Sequence, residues 1–234
     1  EVIKDLLLEK DSTPIIRANL PTSTPKQTIR RLNESSLTIG LAGIIHPAKG
    51  LSIIEAIAES EKFFGCKIHI FGLSLVTEED IQKLKAYPNV TVDTNITDFE
   101  FQSMLSQLDI LVNFRTQYKG ETSLATIEAM RFGVIPIVKK VGWYEELPDS
   151  AVLKVSNKDE LILGLDKLLK DKSKVKQMKT AAKELIEKDF SYENYAQQLY
   201  KLLNEEVNKS KTVEISHAIK NNSSLTNIKK LIQD

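Results

Sequence analysis

From Leu37 onward the chain alternates short apolar runs with amphipathic stretches, and few architectures accept that alternation. The apolar runs are LTIGLAGII (37–45), KIHIFG (67–72), NVTVD (89–93), DILVNF (109–114), VIPIV (134–138) and AVLKV (151–155). Each has strand length, and most are dominated by Ile, Val and Leu. Between them, GLSIIEAIAESEKFF places Ile53, Ile54, Ile57 and Ala58 on one helical face, and TEEDIQKLKAY opens on a capping threonine, Thr77. DFEFQSMLSQ turns Phe101, Met104 and Leu105 inward, and Gly133 ends the helix that begins near Leu124. The pattern specifies an α/β fold, a doubly wound and mostly parallel sheet with helices on both faces.

After Val155 the pattern is helical throughout, over 158–170, 173–190 and 191–208. Residues 209–234 are polar and rich in Asn, Ser and Lys, and read as a tail or linker with at most one weak helix around 227–232. Residues 1–36 show no clear core pattern and read as a linker or remnant ahead of a domain spanning 37–208. The sequence starts at Glu1 instead of methionine, which suggests a piece of a longer polypeptide.

In doubly wound sheets, ligands bind outside the carboxyl ends of the strands. The stretch from Asn113 to Asp149 has the parts of such a site. After the strand at 109–114 a loop gathers Arg115, Lys119, Gly120, Glu121, Thr122 and Ser123 before a helix opens at Leu124. Free N–H groups and the helix dipole there favour an anion, most simply a phosphate. Glu128 lies among Leu124, Ala125, Ile127, Ala129 and Phe132 on that helix, where an unpaired charge costs several kcal/mol. It therefore either pairs internally with Arg131 at i+3 or reaches a cleft, where its carboxylate suits the hydroxyls of a ribose or sugar.

A second loop, GIIHPAKG (43–50), brings Lys49 and Gly50 to a helix start, so an ammonium and helix N–H groups could meet a diphosphate together. His46 shares that loop and is a candidate ligand contact. Gly43 and Gly72 allow tight turns at strand ends, with backbone geometry as the equally good alternative. His69 alternates with apolar residues and reads as a satisfied strand histidine. Neither His46 nor His69 has companions at metal-ligand spacing, so neither a metal nor a cofactor is expected.

Composition narrows the function. Thirty-two basic residues balance thirty-two acidic ones in 234, and no aromatic and basic interleaving appears, which argues against nucleic acid. The single cysteine, Cys66, excludes an internal disulfide, fits a cytoplasmic setting and reads as a small core residue. No apolar run reaches membrane-spanning length. The lysine-rich stretch from Lys167 to Lys183 is mostly a solvated helical face, with peripheral contact to anionic membrane as the alternative. No Walker loop, nucleophile elbow or dinucleotide-binding glycine fingerprint occurs.

Taken in order, Lys49-Gly50, KIHIFG, LDILVNF, GETSLATIEAMRFGVIPIV and VGWYEELPD resemble the C-terminal, nucleotide-sugar-binding domain of GT-B retaining glycosyltransferases of the family-4, or group 1, type. The resemblance covers roughly 37–205 and implies a Rossmann-like half of a GT-B fold followed by C-terminal helices. It implies that Glu128 binds the donor's ribose and that Lys49 meets its diphosphate. It gives Glu121 the sugar-contact role, although Glu121 stands one residue from the commonest position, as in a subgroup with a Gly-Glu-Thr-Ser loop. An arginine that the family tends to place five or six residues before the lysine is replaced here by Ile44; Arg115, by its position, could supply that charge.

Lys49 and Glu121 are thus the catalytic candidates. Gly43, His46, Gly72, Arg115, Thr122, Ser123, Leu124 and Glu128 are the donor-binding candidates. The resemblance further implies an enzyme of polysaccharide or glycolipid assembly whose N-terminal, acceptor-binding domain is missing from these 234 residues, inactive alone. A degenerate, non-catalytic binding or scaffold domain and a sugar-nucleotide epimerase are the competing readings.

Overall fold

The computed structural model describes residues 19–22, 36–118, 120–201 and 203–204. The tail at 209–234, most of the 1–36 segment and the end of the expected 191–208 helix lie outside the described residues. Six strands form one sheet: β1 (Thr38–Ile45), β2 (Lys67–Ser74), β3 (Val90–Thr94), β4 (Ile110–Asn113), β5 (Ile135–Lys139) and β6 (Leu153–Val155). Their order across the sheet is β3-β2-β1-β4-β5-β6, and every pairing is parallel.

Helices α1 (Leu51–Glu59), α2 (Glu78–Lys85), α3 (Asp98–Leu105), α4 (Leu124–Arg131), a short α5 (Trp143–Glu146), α6 (Lys158–Lys170) and α7 (Lys172–Asp189) make the connections and the C-terminal layer. Residues 192–201 are helical as well. The caps follow the sequence. Thr77 and Thr97 each close a capping box, with Asp80 and Glu100 three residues on, and Asn157 caps α6 through the Glu160 N–H.

Because helices cover both faces, the central strands β4 and β5 are buried on both. Ile110 and Val112 of β4 face a core shared with Ile54 and Ile57 of α1 and Leu161 and Leu165 of α6. Leu111 points the other way, toward Phe71, Leu105 and Ala129 under α3 and α4. A third apolar cluster joins α4, α5 and α7 through Ile127, Tyr144 and Ile186, and it holds Trp143, which packs against Phe190 with ring centroids 6.4 Å apart. Cys66 is buried and free, as its reading as a core residue requires. His69 is satisfied by Asp93 at 2.6 Å.

The strand order reverses between β1 and β4. Connections leaving the carboxyl ends of these two neighbours diverge there, and that leaves a crevice in a doubly wound sheet.

Candidate functional site

A cavity of about 600 Å³ occupies this crevice. Its walls are the end of β1 with Gly43 and Ile44, the turn carrying Lys49, the end of β4 with Asn113 and Arg115, the first turns of α4 with Leu124, Ala125 and Glu128, and the start of α3 with Asp98, Phe101 and Gln102.

The two cationic corners are tied together by backbone. Thr116 N–H donates to the Ala48 carbonyl at 3.0 Å, which links the loop after β4 to the turn after β1. Gly50 permits that approach: it sits at φ 93°, and a Cβ there would come within 2.8 Å of the Phe114 carbonyl oxygen. Lys49 and Arg115 are consequently close enough that the guanidinium, together with burial, holds the Lys49 ammonium below its usual pKa; burial is the larger cause. Among the described residues Lys49 has no carboxylate within ion-pair reach, whereas Arg115, 6% exposed, is ion-paired with Glu121. The buried Nε–H of Arg115 has no acceptor among the described residues. Lys49 and Arg115 thus share one wall of the cavity, with the Arg115 charge paired to Glu121.

The loop that carries Arg115 and Glu121 is pinned at both ends. Asn113 Nδ2, at the end of β4, stands 2.8 Å from both Ser123 Oγ and Thr126 Oγ1, and 3.2 Å from Tyr144 Oη. All four side chains are buried. Ser123 also caps α4, its hydroxyl accepting from the Thr126 N–H at 3.3 Å. Its side chain is therefore committed to structure, and what this corner offers a ligand is the backbone N–H groups of the first turn. Burial pushes the Tyr144 hydroxyl's pKa up, so it remains a neutral hydrogen-bonding member of the cluster.

Glu128 satisfies both sequence expectations at once. It lines the cavity, and its Oε2 is ion-paired to Arg131 at 3.0 Å. Gln102 donates to the same oxygen at 3.1 Å, and Thr22 donates to Oε1 at 2.6 Å. Partners on three side chains thus surround a carboxylate that faces the cavity.

The structure brings Gly43, Lys49, Arg115, Leu124 and Glu128 together on the cavity wall, with Glu121 beside Arg115. Thr122 is half-buried in the α4 entry loop. His46 and Gly72 lie off the wall. His46 is exposed, and its Nδ1 accepts from the Ala48 N–H at 3.1 Å, capping the Pro47–Lys49 turn. Gly72, at φ 137°, is paired in register with Gly43, and a Cβ on it would sit 1.8 Å from the Gly43 carbonyl oxygen. It lets two strands pass and reaches the cavity only through its neighbour. The loop between β2 and α2 opens one strand away from the reversal point.

Sequence reasoning did not find Thr22, Asp98, Phe101 or Gln102. The α3 residues reach the site because the β3-to-β4 connection crosses back over the sheet beside β1, a consequence of strand order that carries no local signal. Among the described residues no group of three or more His, Cys, Asp or Glu side chains is placed to hold a metal ion. No helix among them is long and apolar enough to cross a membrane.

A family model described as "Glycosyl transferases group 1" matches residues 24–185, more than half of the chain. No curated protein matches it. Solved structures with the same architecture include Anabaena HepE in complex with UDP, 17% identical with a TM-score of 0.62 over 73% of this chain and 49% of that one. A variant of S. aureus TarM in complex with fondaparinux, α-GlcNAc-glycerol and UDP is 20% identical, with a TM-score of 0.68 over 86% of this chain and 42% of that one. The C-terminal domain of the group 1 glycosyl transferase LpcC from Francisella tularensis is 21% identical, with a TM-score of 0.55 over 67% of this chain and 87% of that one. The chain spans about half the length of HepE and most of the isolated LpcC domain. At these identities the likeness establishes the fold.

Proposed function

The chain belongs to the group 1 glycosyl transferases, and on that footing we propose that it is the donor half of a retaining glycosyltransferase, binding a nucleoside diphosphate sugar in the cavity between β1 and β4. The observation that carries the reading is the arrangement of charge on that wall: Lys49 and Arg115 together at one corner, and the Glu128 carboxylate on another element facing the same space. A nucleoside diphosphate has the complementary parts, a dianionic bridge for the cations and ribose hydroxyls for the carboxylate.

In this reading Lys49, Arg115 and the first N–H groups of α4 stabilise the negative charge that grows on the diphosphate as the glycosidic bond breaks. Their electrostatic work replaces any call on a metal ion or other cofactor. Glu121, held at the loop mouth by Arg115, contacts the sugar. Gly43, at φ 106° with only the Ala125 methyl group near its would-be Cβ, keeps that side of the cavity open for the donor. Transfer needs an acceptor-binding domain across the cleft from the donor site. The acceptor is a growing polysaccharide or a glycolipid, reached from the cytoplasm with or without peripheral contact to membrane.

Titration with a panel of nucleoside diphosphates and their sugars, followed by thermal shift and calorimetry, tests the reading. Saturable binding selective for one base supports it. No saturable binding by any member of the panel points instead to a non-catalytic scaffold.

A further inference from the structure

The Glu128 carboxylate is gripped by donors from three elements, and one of them comes from a segment far outside the sheet in sequence. Thr22 Oγ1 donates to Oε1 at 2.6 Å, while Gln102 Nε2, on α3, and Arg131, on α4 itself, take Oε2 at 3.1 and 3.0 Å. The Gln102 amide is fixed in turn, because its carbonyl accepts from Arg131.

Thr22 is held by its backbone. Its N–H donates to the Phe190 carbonyl at 2.8 Å, it pairs as a short parallel bridge with Ser191, and Asn19 Nδ2 donates to the Asp189 carbonyl at 3.1 Å. Residues 19–22 thereby satisfy carbonyls that the end of α7 would otherwise leave without partners. The hydroxyl of a buried threonine, anchored in this way, is delivered to one oxygen of one carboxylate.

A carboxylate offers about four acceptor positions, two on each oxygen. Gln102 hydrogen-bonds Oε2, which also faces the Arg131 guanidinium as an ion pair, and Thr22 takes one position on Oε1. Among the described residues nothing takes the second position on Oε1, in a side chain that is 12% exposed and lines the cavity.

We propose that Thr22 and Gln102 are positioning residues that set the Glu128 carboxylate so that Oε1 accepts a ribose hydroxyl of the donor nucleotide. The proposal rests on the nucleotide reading above. It makes the segment ahead of the domain part of the donor site, acting through Glu128 and without touching the ligand. It also separates Thr22 from a plug: a strap whose backbone is tied to α7 aims the carboxylate while leaving its cavity side open.

Calorimetry on the whole chain with UDP, GDP and ADP and with their 2′,3′-dideoxy counterparts tests this. The wild type prefers the ribonucleotide of whichever base it binds. Thr22→Val, which keeps the shape and removes the hydroxyl, weakens ribonucleotide binding about fivefold, the scale of one hydrogen bond, and leaves the dideoxy affinity unchanged. Thr22→Ser retains the preference. Gln102→Leu, acting on the other oxygen, loses it as well and supplies the readout should Thr22→Val fail to fold. An unchanged ribose preference in the variant, or tighter ribonucleotide binding when the Thr22 hydroxyl is removed, overturns the positioning role. Equal binding of ribo and dideoxy forms by the wild type removes the ribose contact on which the role depends. Binding of none of the six by the wild type sinks the nucleotide reading itself.

Discussion

Arg115 and Glu121 form an ion pair across the loop that joins β4 to α4, and the pair sits on a wall that Arg115 shares with Lys49. Glu121 balances a guanidinium that would otherwise stand buried beside a second cation, and its own side chain is 43% exposed. The pairing holds the guanidinium in place on the cavity wall.

Arg115→Met keeps the length of the side chain and removes its charge. Nucleoside diphosphate binding is expected to weaken tenfold or more, because charge-assisted hydrogen bonds contribute about 1.5 to 3 kcal/mol. The parent nucleoside, lacking the diphosphate, should bind as before. Calorimetry with both ligands decides the matter; an equal loss for the two would place Arg115 outside the diphosphate corner.

Lys49 carries a cost in the free chain. Burial and the neighbouring guanidinium lower its pKa on folding, so its charged form is disfavoured in the folded state. The sign follows from linkage: the destabilisation is fully present below the folded pKa, and it is relieved as pH rises from there toward the ordinary lysine value of 10.5. Lys49→Met should therefore melt above the wild type at neutral pH, with the difference shrinking in alkaline buffer, while diphosphate binding falls tenfold or more. Thermal melts across pH, paired with a binding titration, check both halves. A variant that melts lower at neutral pH contradicts the electrostatic account.

The fold was legible because the central strands are buried on both faces and so read as apolar runs between polar loops, as DILVNF does around β4. Thr77 and Asp80 show the same legibility for a helix start, since both partners of the capping box lie within four residues. The site was legible where chemistry is local: Lys49 beside a helix, Arg115 and Glu121 in one loop, Glu128 on an apolar helix. It was not legible where long-range topology decides. Thr22 meets Glu128 across 106 positions, and Gln102 meets it across 26, with no periodic or motif signal linking them. His46 shows a competing local effect: its ring nitrogen caps the turn at Ala48, so sharing a loop with Lys49 did not bring it to the cavity.

Ser123→Ala separates the two uses of the α4 entry. The hydroxyl caps the helix and joins the Asn113, Thr126 and Tyr144 cluster, whereas the backbone N–H groups of the first turn survive the substitution. The expected loss is about 1 to 2 kcal/mol of stability, the cost of a cap with one buried hydrogen bond. Diphosphate affinity should stay within about twofold, since no hydrogen bond to the ligand is removed. Urea unfolding together with a binding titration measures both, and a tenfold loss of affinity would make the hydroxyl a ligand contact in its own right.

At the opposite end of the sheet, Lys179 of α7 reaches Asp109, just before β4, at 2.8 Å, with the two side chains 5% and 3% exposed. Asp109 also accepts from the Thr38 N–H at 2.9 Å, so one carboxylate ties α7, β1 and β4 together. Removing only the lysine leaves a buried charge with a single neutral donor, and Lys179→Met is expected to cost about 3 to 5 kcal/mol. Pairing it with Asp109→Asn takes away the orphaned charge while keeping an acceptor for Thr38, and most of the loss should return. A double-mutant cycle by urea denaturation reads the coupling directly. Because this pair lies away from the cavity, nucleoside diphosphate affinity in the double variant should match the wild type under conditions where both are folded. Additive losses from the two substitutions would show that the ion pair contributes no more than its parts.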